Sequence, residues 1–303
     1  MAAGGLRVRS AFRKGLFTDK VAIVTGGGTG IGKAIAQELL YLGCKVVIAS
    51  RSEEKVRTAA AEMSSLIPTD SPAQVKALQC NIRKEEDVKN LFSKTIGEFG
   101  KLDFLVNNAG GQFPSPAAQI SLKGWNAVVD TNLNGTFLCC REAYHSWMAE
   151  NGGVIVNIIA DMWKGFPMMS HTGAARAAVD NLTKSLALEW AANGIRINSV
   201  APGSSIYSDT AARNYSATEN VFLREVPNIP AKRLGKPEEV STAVCFLLSP
   251  SSAFITGETV KVDGGQSLYR NQFEIPDHNK QPAYDWEKLI EEEENDGNPK
   301  SKL

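Results

Sequence analysis

Short apolar runs recur along the chain, and longer segments with helical periodicity separate them. Runs of this length suit strands that are buried on both faces of a parallel sheet. The predicted strands cover residues 21–24, 45–50, 75–80, 102–106, 154–159, 196–200 and 259–262. This alternation predicts an α/β fold, namely a Rossmann-type, doubly wound parallel sheet with helices on both faces.

The segments between the runs place apolar residues three and four positions apart, as on one face of a helix. In the first of them Ile31, Ile35 and Leu39 share a face, and Gly43 follows as a left-handed cap. Further helices are predicted at 53–63, around Val88, Leu91, Phe92 and Ile96, and at 124–150, 172–192 and 237–249. We expect a single domain at 18–268, an N-terminal arm at 1–17 and a tail at 269–303.

A glycine-rich turn, T-G-G-G-T-G-I-G, joins the first strand to the first helix. Glycines let the backbone approach a pyrophosphate, and the start of the helix offers free N–H groups and a positive dipole to its charge. In this strand-to-helix context the turn predicts a dinucleotide site. The residues expected to line the site are Gly26, Gly28, Thr29, Gly30, Ile31 and Gly32.

The end of the second strand distinguishes NAD(H) from NADP(H). An acid there binds the ribose 2′-hydroxyl, whereas a cation accommodates a 2′-phosphate. This strand ends in Ala49-Ser50-Arg51, with Lys55 one turn later, and Glu53 is the first acid. Ser50 can donate to a phosphate and Arg51 can hold it with a bidentate fork, although Arg51 also fits an ordinary surface cation. We expect NADPH as the cofactor.

The composition argues against several classes of function. The 303 residues include 33 Lys and Arg against 33 Asp and Glu, so no net charge points to nucleic acid or a membrane surface. The chain shows no apolar run of the roughly 18 residues that a spanning helix needs. The five cysteines lack metal-ligand spacing, so we expect reduced packing residues and no metal site.

Both ends of the chain carry candidate targeting signals. The first 17 residues hold four basic side chains and no acid, which fits a mitochondrial presequence or, as we favour, a solvated arm. The C-terminus reads Ser301-Lys302-Leu303, the tripeptide that the peroxisomal import receptor binds. We therefore expect import into the peroxisomal matrix.

Five motifs together resemble the short-chain dehydrogenase/reductase family over roughly residues 18–268. They are the glycine-rich turn at 25–32, N-N-A-G at 107–110, T-N-L-N-G-T-F at 131–137, R-I-N-S-V-A-P-G at 196–203 and V-D-G-G at 262–265. The resemblance implies a nicotinamide over the carboxyl ends of the strands. It further implies cofactor contacts at Asn108, Ala109, Gly110, Pro202 and Gly203, with Asn81 near the adenine. It also implies a homodimer or homotetramer packed through the helices at 124–150 and 172–192.

The chain departs from the family where a Ser, a Tyr and a Lys normally exchange a proton with an alcohol or ketone. Ile159 and Ala160 occupy the region of the Ser, while Thr172 aligns with the Tyr and Arg176 with the Lys. An alignment two turns later gives Asp180 and Lys184, again without a Tyr. The usual proton-transfer residues are therefore missing.

Conjugate reduction of an enoyl thioester remains compatible with this set of residues. Making an alcohol needs an acid with a pKa near neutrality, which neither a Thr hydroxyl nor an Arg supplies. Reduction of the carbon–carbon double bond needs a hydrogen-bond donor at the thioester oxygen, worth roughly 3 kcal/mol. Thr172 can donate there, Arg176 can hold the nicotinamide ribose, and Asn132 is implied by the resemblance to hold a water or the helix kink.

Each of these residues also has a structural interpretation. Thr172 fits an N-cap that opens its helix, and Arg176 fits an ion pair with Asp180 at i+4. His171 fits a loop residue that only packs, although it is also a possible proton donor. The segment 204–233 fits a lid for an acyl chain, which would contact Tyr207, Tyr215, Phe222 and Leu223. Five basic residues in or next to this segment fit either contacts with coenzyme A phosphates or ordinary surface charges, namely Arg213, Arg224, Lys232, Arg233 and Lys236.

Within the family, the likeness is strongest to peroxisomal trans-2-enoyl-CoA reductases. It rests on the segments I-V-N-I-I and H-T-G-A-A-R-A-A-V, on the tail and on the S-K-L ending. This likeness favours NADPH-dependent reduction of trans-2-enoyl-CoA to saturated acyl-CoA, in fatty-acid chain elongation or phytol metabolism. The first alternative is a peroxisomal 2,4-dienoyl-CoA reductase. The second, from another class, is a non-catalytic NADP-binding protein.

Overall fold

Seven strands form the centre of the molecule. The computed structural model describes residues 10–208, 212, 222–269 and 276–280. The strands are β1 Val21–Thr25, β2 Lys45–Ser50, β3 Gln74–Gln79, β4 Phe104–Asn107, β5 Gly153–Ile158, β6 Ile195–Pro202 and β7 Thr259–Val262. They pair in parallel in the order β3-β2-β1-β4-β5-β6-β7, which confirms the predicted doubly wound sheet. Since the order reverses between β1 and β4, the two halves leave a crevice at the carboxyl edge of the sheet.

Helices cover both faces of this sheet. Their bounds are α1 Gly30–Tyr41, α2 Glu53–Leu66, α3 Glu85–Phe99, α4 Leu122–Val129, α5 Gly135–Ala143, α6 Ala149–Asn151, α7 Ser170–Glu189 and α8 Pro237–Leu248. Neighbouring residues of β1 face opposite layers: Val24 packs in the core with α1, α2 and α8, and Ile23 packs in the core with α3, α5 and α7. Both side chains are fully buried, worth about 1.5–3 kcal/mol each. This two-sided burial explains why the strands lack polar alternation.

The predicted helix at 124–150 is interrupted twice. It runs from Leu122 to Asn151, with π-helical turns at Asp130–Asn134 and Tyr144–Met148. The predicted left-handed position is confirmed at Gly43, which has φ +89° just after α1. The first π turn contains the buried Asn132. Such turns often lie at functional sites because they turn a side chain out of the regular helical register.

Part of the expected solvated arm packs against the domain. Phe17 is only 1% exposed, and its ring meets Phe104 edge-on at 5.2 Å. The Ser10 hydroxyl donates to Glu38 Oε1 at 2.7 Å. The described part of the arm is therefore held to α1 and the sheet rather than fully solvated.

All five cysteines are free and buried, in agreement with packing residues. None of the described helices is both long enough and apolar enough to cross a bilayer. The described residues also include no cluster of three or more metal-ligating side chains. The terminal tripeptide at 301–303 lies outside the described residues.

Candidate active site

The glycine-rich turn packs directly against the loop that follows β4. Gly26 has φ +68°, and an added Cβ would lie 2.9 Å from Asn108 Nδ2. At Gly32 an added Cβ would lie 2.3 Å from the same atom and 2.4 Å from the Gly26 carbonyl oxygen. Asn108 Nδ2 donates to the carbonyl oxygens of Thr25 and Gly26 at 3.1 and 3.3 Å. The two glycines therefore allow the turn and the β4 loop to close together at the crevice.

The start of α1 has the chemistry of an anion site. Its first turn contains no acid, whereas α2, α3 and α8 each begin with two or three. Thr29, the N-cap, makes no side-chain bond to the helix, so the first N–H groups keep their capacity for a ligand. Gly28 is open, with the nearest atoms to an added Cβ at 3.8 Å on α2. The cradle fits a pyrophosphate group, and the contacts of Gly30 and Ile31 stay predictions.

Ser50 and Arg51 lie at the carboxyl end of β2, on the α2 side of this cradle. Arg51 is exposed, and its carbonyl accepts from Gln79 Nε2 at 3.1 Å. The Ser50 hydroxyl donates to the Ser52 carbonyl at 3.1 Å. An exposed guanidinium at this position fits a 2′-phosphate, and this assignment stays a prediction.

Asn81 follows β3 and borders an open concavity of about 520 Å³. Its Oδ1 accepts from the backbone N–H of Arg83 at 3.3 Å, and its own N–H donates to Asp87 Oδ2 at 3.0 Å. The other residues lining the concavity are Arg83, Lys84, Asp130, Asn134, Phe137 and Leu138. The proposed contact between Asn81 and the adenine stays a prediction.

A residue that the sequence analysis missed fixes the loop after β4. Thr25 Oγ1 accepts from the backbone N–H groups of Asn108 and Ala109, both at 3.0 Å, and donates to the Val106 carbonyl at 3.3 Å. This one side chain therefore sets where the predicted cofactor residues 108–110 lie. Its position as the last residue of β1, just before the glycines, is the signal that could have indicated this role.

Asn132 and Thr172, both fully buried, meet next to this loop. Asn132 exchanges two hydrogen bonds with Gly111, since Gly111 N donates to Oδ1 at 2.9 Å and Nδ2 donates to the Gly111 carbonyl at 3.0 Å. Nδ2 also donates to Thr172 Oγ1 at 2.9 Å. The Thr172 hydroxyl in turn donates to Gln112 Oε1 at 3.2 Å. The structure thus joins two predicted residues and adds Gln112, which the sequence analysis did not single out.

The N-cap interpretation of Thr172 is wrong. Helix α7 begins at Ser170 and its N-cap is Met169, so Thr172 lies inside the first turn. Its hydroxyl serves the bonds to Asn132 and Gln112 rather than the helix end. The loop placement of His171 is wrong for the same reason, since this residue also lies in the first turn of α7.

Arg176 lies one turn further along α7 and is 8% exposed. Its Nη1 donates to the Ile158 carbonyl at the end of β5. An added Cβ on Gly110 would lie 2.2 Å from Nη2, so the guanidinium sits against that glycine. The pairing of Arg176 with Asp180 is wrong, because the Asp180 carboxylate accepts from Lys184 and from Thr259 Oγ1. The guanidinium is instead directed to the carboxyl edge, beside predicted cofactor residues.

The ends of β5, β6 and β7 close the other side of the crevice. Asp161 N donates to the Pro202 carbonyl at 3.1 Å, and Gly203 N donates to the Val262 carbonyl at 2.9 Å. An added Cβ on Gly203 would lie 2.9 Å from Asp263 Cβ, so glycine is required for this approach. Burial and then the nearby Asp263 raise the pKa of Asp161 above its usual range. The cofactor roles of Pro202 and Gly203 stay predictions.

The predicted lid is described only in part, since Arg213 and Tyr215 lie outside the described residues. The rings of Tyr207 and Phe222 meet edge-on at 5.6 Å. Phe222 is buried, whereas Leu223 is 57% exposed. Arg233, considered for coenzyme A, donates to both Glu239 carboxylate oxygens at 2.6 and 2.9 Å. That bidentate pair, which the sequence analysis did not anticipate, occupies the guanidinium at the start of α8.

The site as a whole offers donors and a fixed positive charge. Ile159 is buried in an apolar cluster with Val179 and Ala201. The assignment of Ile159 and Thr172 to the positions of the usual Ser and Tyr stays a prediction. Arg176 stays protonated at all working pH values. Such a set can polarise a carbonyl oxygen by hydrogen bonding, but it supplies no group that titrates near neutrality in the way a Tyr–Lys pair does.

Comparisons with known proteins show which proteins this chain is similar to. A family profile described as enoyl-(acyl carrier protein) reductase matches residues 26–267. The peroxisomal 2,4-dienoyl-CoA reductase of Danio rerio is 36% identical over 254 residues, covering 84% of this chain and 83% of that protein. A probable 2,4-dienoyl-CoA reductase of Bacillus subtilis is 36% identical over 252 residues, covering 82% of this chain and 97% of that protein. A solved citronellol catabolism dehydrogenase of Pseudomonas aeruginosa is 44% identical, covers 85% of this chain and 99% of its own, and superposes with a TM-score of 0.74.

Proposed function

The chain belongs to the short-chain dehydrogenase/reductase family, and from this membership we propose that it is an NADPH-dependent reductase of conjugated, unsaturated acyl-CoA thioesters. Residues 18–268 form the catalytic unit. The observation that carries the proposal is the buried hydrogen-bond chain from Asn132 to Thr172, which places a Thr hydroxyl where the resemblance aligns the phenol of a carbonyl reductase.

The position of the Thr172 proton supports this chemistry. Because Asn132 Nδ2 donates to Thr172 Oγ1, the Thr172 hydrogen is directed away from Asn132 and toward Gln112 Oε1. A thioester oxygen that takes the place of Gln112 Oε1 receives that hydrogen bond. Bound NADPH supplies the hydride, and the negative charge that develops on the thioester oxygen is stabilised by the Thr172 hydroxyl. One preorganised donor of this kind is worth roughly a hundredfold or more in rate.

Arg176 contributes a charge that does not titrate. Its guanidinium lies on the same face of α7 as Thr172, four residues on, and against Gly110. From there it holds the nicotinamide ribose hydroxyls and keeps positive charge near the developing enolate. Asn132 positions Thr172 and the Gly111 backbone. Proton transfer to Cα, from water or from a side chain of the site, completes the reaction.

Two classes of acyl-CoA substrate fit this chemistry, and the names of the similar proteins decide which of them we propose first. The sequence motifs favour trans-2-enoyl-CoA as the substrate, whereas the similar curated proteins are named 2,4-dienoyl-CoA reductases. We therefore take 2,4-dienoyl-CoA as the first candidate. Trans-2-enoyl-CoA is the second, favoured by the likeness of segment 171–179 to enoyl-CoA reductases.

The cellular setting is also part of the proposal. The motif Ser301-Lys302-Leu303 and the peroxisomal relative from Danio rerio support import by the peroxisomal receptor and a role in fatty-acid metabolism. A homodimer or homotetramer packed through the helices at 124–150 and 172–192 is part of the same proposal, and it rests on the resemblance to the family.

The test is NADPH oxidation with 2,4-decadienoyl-CoA and with trans-2-decenoyl-CoA, by the wild type and two variants. Thr172→Val removes the donor and should lower kcat for the preferred substrate about a hundredfold. Thr172→Ser keeps the hydroxyl and should retain most of the rate. Equal activity of wild type and Thr172→Val contradicts the role of this donor.

The same assay separates the remaining alternatives. Turnover of trans-2-decenoyl-CoA alone makes the second candidate correct. Tight NADPH binding without turnover of either thioester indicates a non-catalytic NADP-binding protein. Efficient interconversion of a secondary alcohol and its ketone overturns the proposal altogether.

A further inference from the structure

His171 is a buried side chain that the proposed reaction leaves unused. It is fully buried in the first turn of α7, directly before Thr172. Neither Nδ1 nor Nε2 has a hydrogen-bond partner among the described residues. Buried polar atoms without partners are uncommon, and each costs free energy that an apolar side chain at the same place would not cost. A polar side chain buried at such a cost in free energy is a candidate for hydrogen bonding to a ligand.

The partly exposed ring of Phe113 lies against His171. Phe113 meets the imidazole edge-on, with ring centroids 4.6 Å apart, and is itself 39% exposed. Phe113 lies in the loop after Gly110 and Gly111, and an added Cβ on Gly111 would meet nothing within 4 Å. The backbone N–H of Ser115 ties this loop to the Met168 carbonyl at 2.7 Å. The Phe113 ring also packs on α4, since an added Cβ on Gly124 would lie 2.9 Å from Phe113 Cζ. A ligand in the crevice can reach the imidazole only if the Phe113 ring moves.

The ligand that His171 suits carries one donor and one acceptor. A neutral imidazole has one N–H and one nitrogen lone pair. An amide group presents the complementary carbonyl and N–H. In an acyl-CoA the first pantetheine amide follows the thioester after a sulfur and two methylene groups. One loop connects the two side chains, since Gln112 accepts from Thr172, the proposed thioester contact, and the neighbouring Phe113 lies against His171.

We propose that His171 is a substrate-binding residue that hydrogen-bonds the pantetheine amide next to the thioester when Phe113 turns aside. This inference rests on the proposed function, because it takes Thr172 as the contact of the thioester oxygen. It adds a binding contact on the coenzyme A side of the thioester and leaves the hydride and proton transfers unchanged. His171 thereby distinguishes coenzyme A-type thioesters from simple alkyl thioesters.

The first measurement is equilibrium binding by calorimetry, which needs no turnover. The probes are S-decanoyl-N-acetylcysteamine, which keeps the amide, and S-butyl decanethioate, which lacks it, both with NADPH present. The wild type should bind the amide-bearing thioester about tenfold more tightly, the effect of one or two neutral hydrogen bonds. His171→Leu should abolish this preference. His171→Asn, which keeps a donor and an acceptor, should restore part of it, and the exposed His145→Leu should change nothing.

The second measurement is the melting temperature without ligand. His171→Leu should melt higher than the wild type, because it removes two unpartnered buried atoms. A more stable variant that loses the amide preference is the expected combination. An unchanged preference in His171→Leu, equal binding of both thioesters by the wild type, or a lower melting temperature overturns the proposal. Loss of turnover with the amide preference intact would instead count against the proposed function alone.

Discussion

Replacing Glu38 by glutamine is expected to remove a pH-dependent loss of stability. The Glu38 carboxyl is 1% exposed on α1 and accepts from Ser10 at 2.7 Å and from Ser241 on α8. Burial is the main cause that raises its pKa from 4.5 to about 7, and Glu238 adds to the shift, while hydrogen bonds from Ser241, Ser10 and Cys245 oppose it. The folded protein therefore holds a proton that the unfolded chain has released at the same pH.

The sign and size follow from proton linkage. Between pH 4.5 and about 7 the folded state binds more protons at Glu38 than the unfolded state does, so the free energy of unfolding falls as the pH rises. The contribution is complete below 4.5 and lost above about 7. The difference between the two pKa values corresponds to about 3 kcal/mol. Glu38→Gln resembles the protonated form at every pH and should not show this loss.

Urea unfolding at pH 5 and at pH 8 measures the effect. The stability of Glu38→Gln relative to wild type should increase by about 3 kcal/mol from the lower to the higher pH. Glu62→Gln, which alters an exposed pair with Lys33, is the matched control and should show no such trend. A difference between wild type and Glu38→Gln that is the same at both pH values would refute the reasoning.

Two further changes probe the cofactor side of the site. Arg51→Ala should weaken NADPH binding roughly tenfold or more and leave NADH binding nearly unchanged, because it removes a charged donor to the 2′-phosphate. Fluorescence titration with both nucleotides measures the two affinities. Equal losses of affinity for NADPH and NADH would contradict the assignment of Arg51 to the 2′-phosphate. Gly110→Ala places a Cβ 2.2 Å from Arg176 Nη2 and 3.1 Å from Asn132 Oδ1. It should displace the guanidinium from its buried position, so kcat should fall by at least about tenfold and the melting temperature should fall as well. Gly111→Ala, whose Cβ meets nothing within 4 Å, is the control, and equal kinetics of the two variants would exclude an effect through Arg176.

Contacts between distant residues account for what the sequence analysis missed at the site. Thr25 and the loop at 108–109 are more than 80 residues apart and meet because β1 and β4 pair with Thr25 opposite Asn107. Asn132 and Thr172 are 40 residues apart and meet through a π turn, which the helical pattern did not predict. The i+4 spacing of Arg176 and Asp180 allows an ion pair on one helix face, yet the Asp180 carboxylate accepts from Thr259 on β7 and from Lys184. None of these partners is encoded in local spacing.

The amino-acid sequence by itself determined the α/β class, the strand positions and the place of the phosphate cradle. Buried parallel strands need uninterrupted apolar runs, and a tight strand-to-helix turn needs glycine, so both leave a local signature. Tertiary structure decided which polar atoms face one another across the crevice. Strand register and helix packing set the bonds of Thr172, the direction of Arg176 and the covered imidazole of His171, because those distances depend on how separate elements dock.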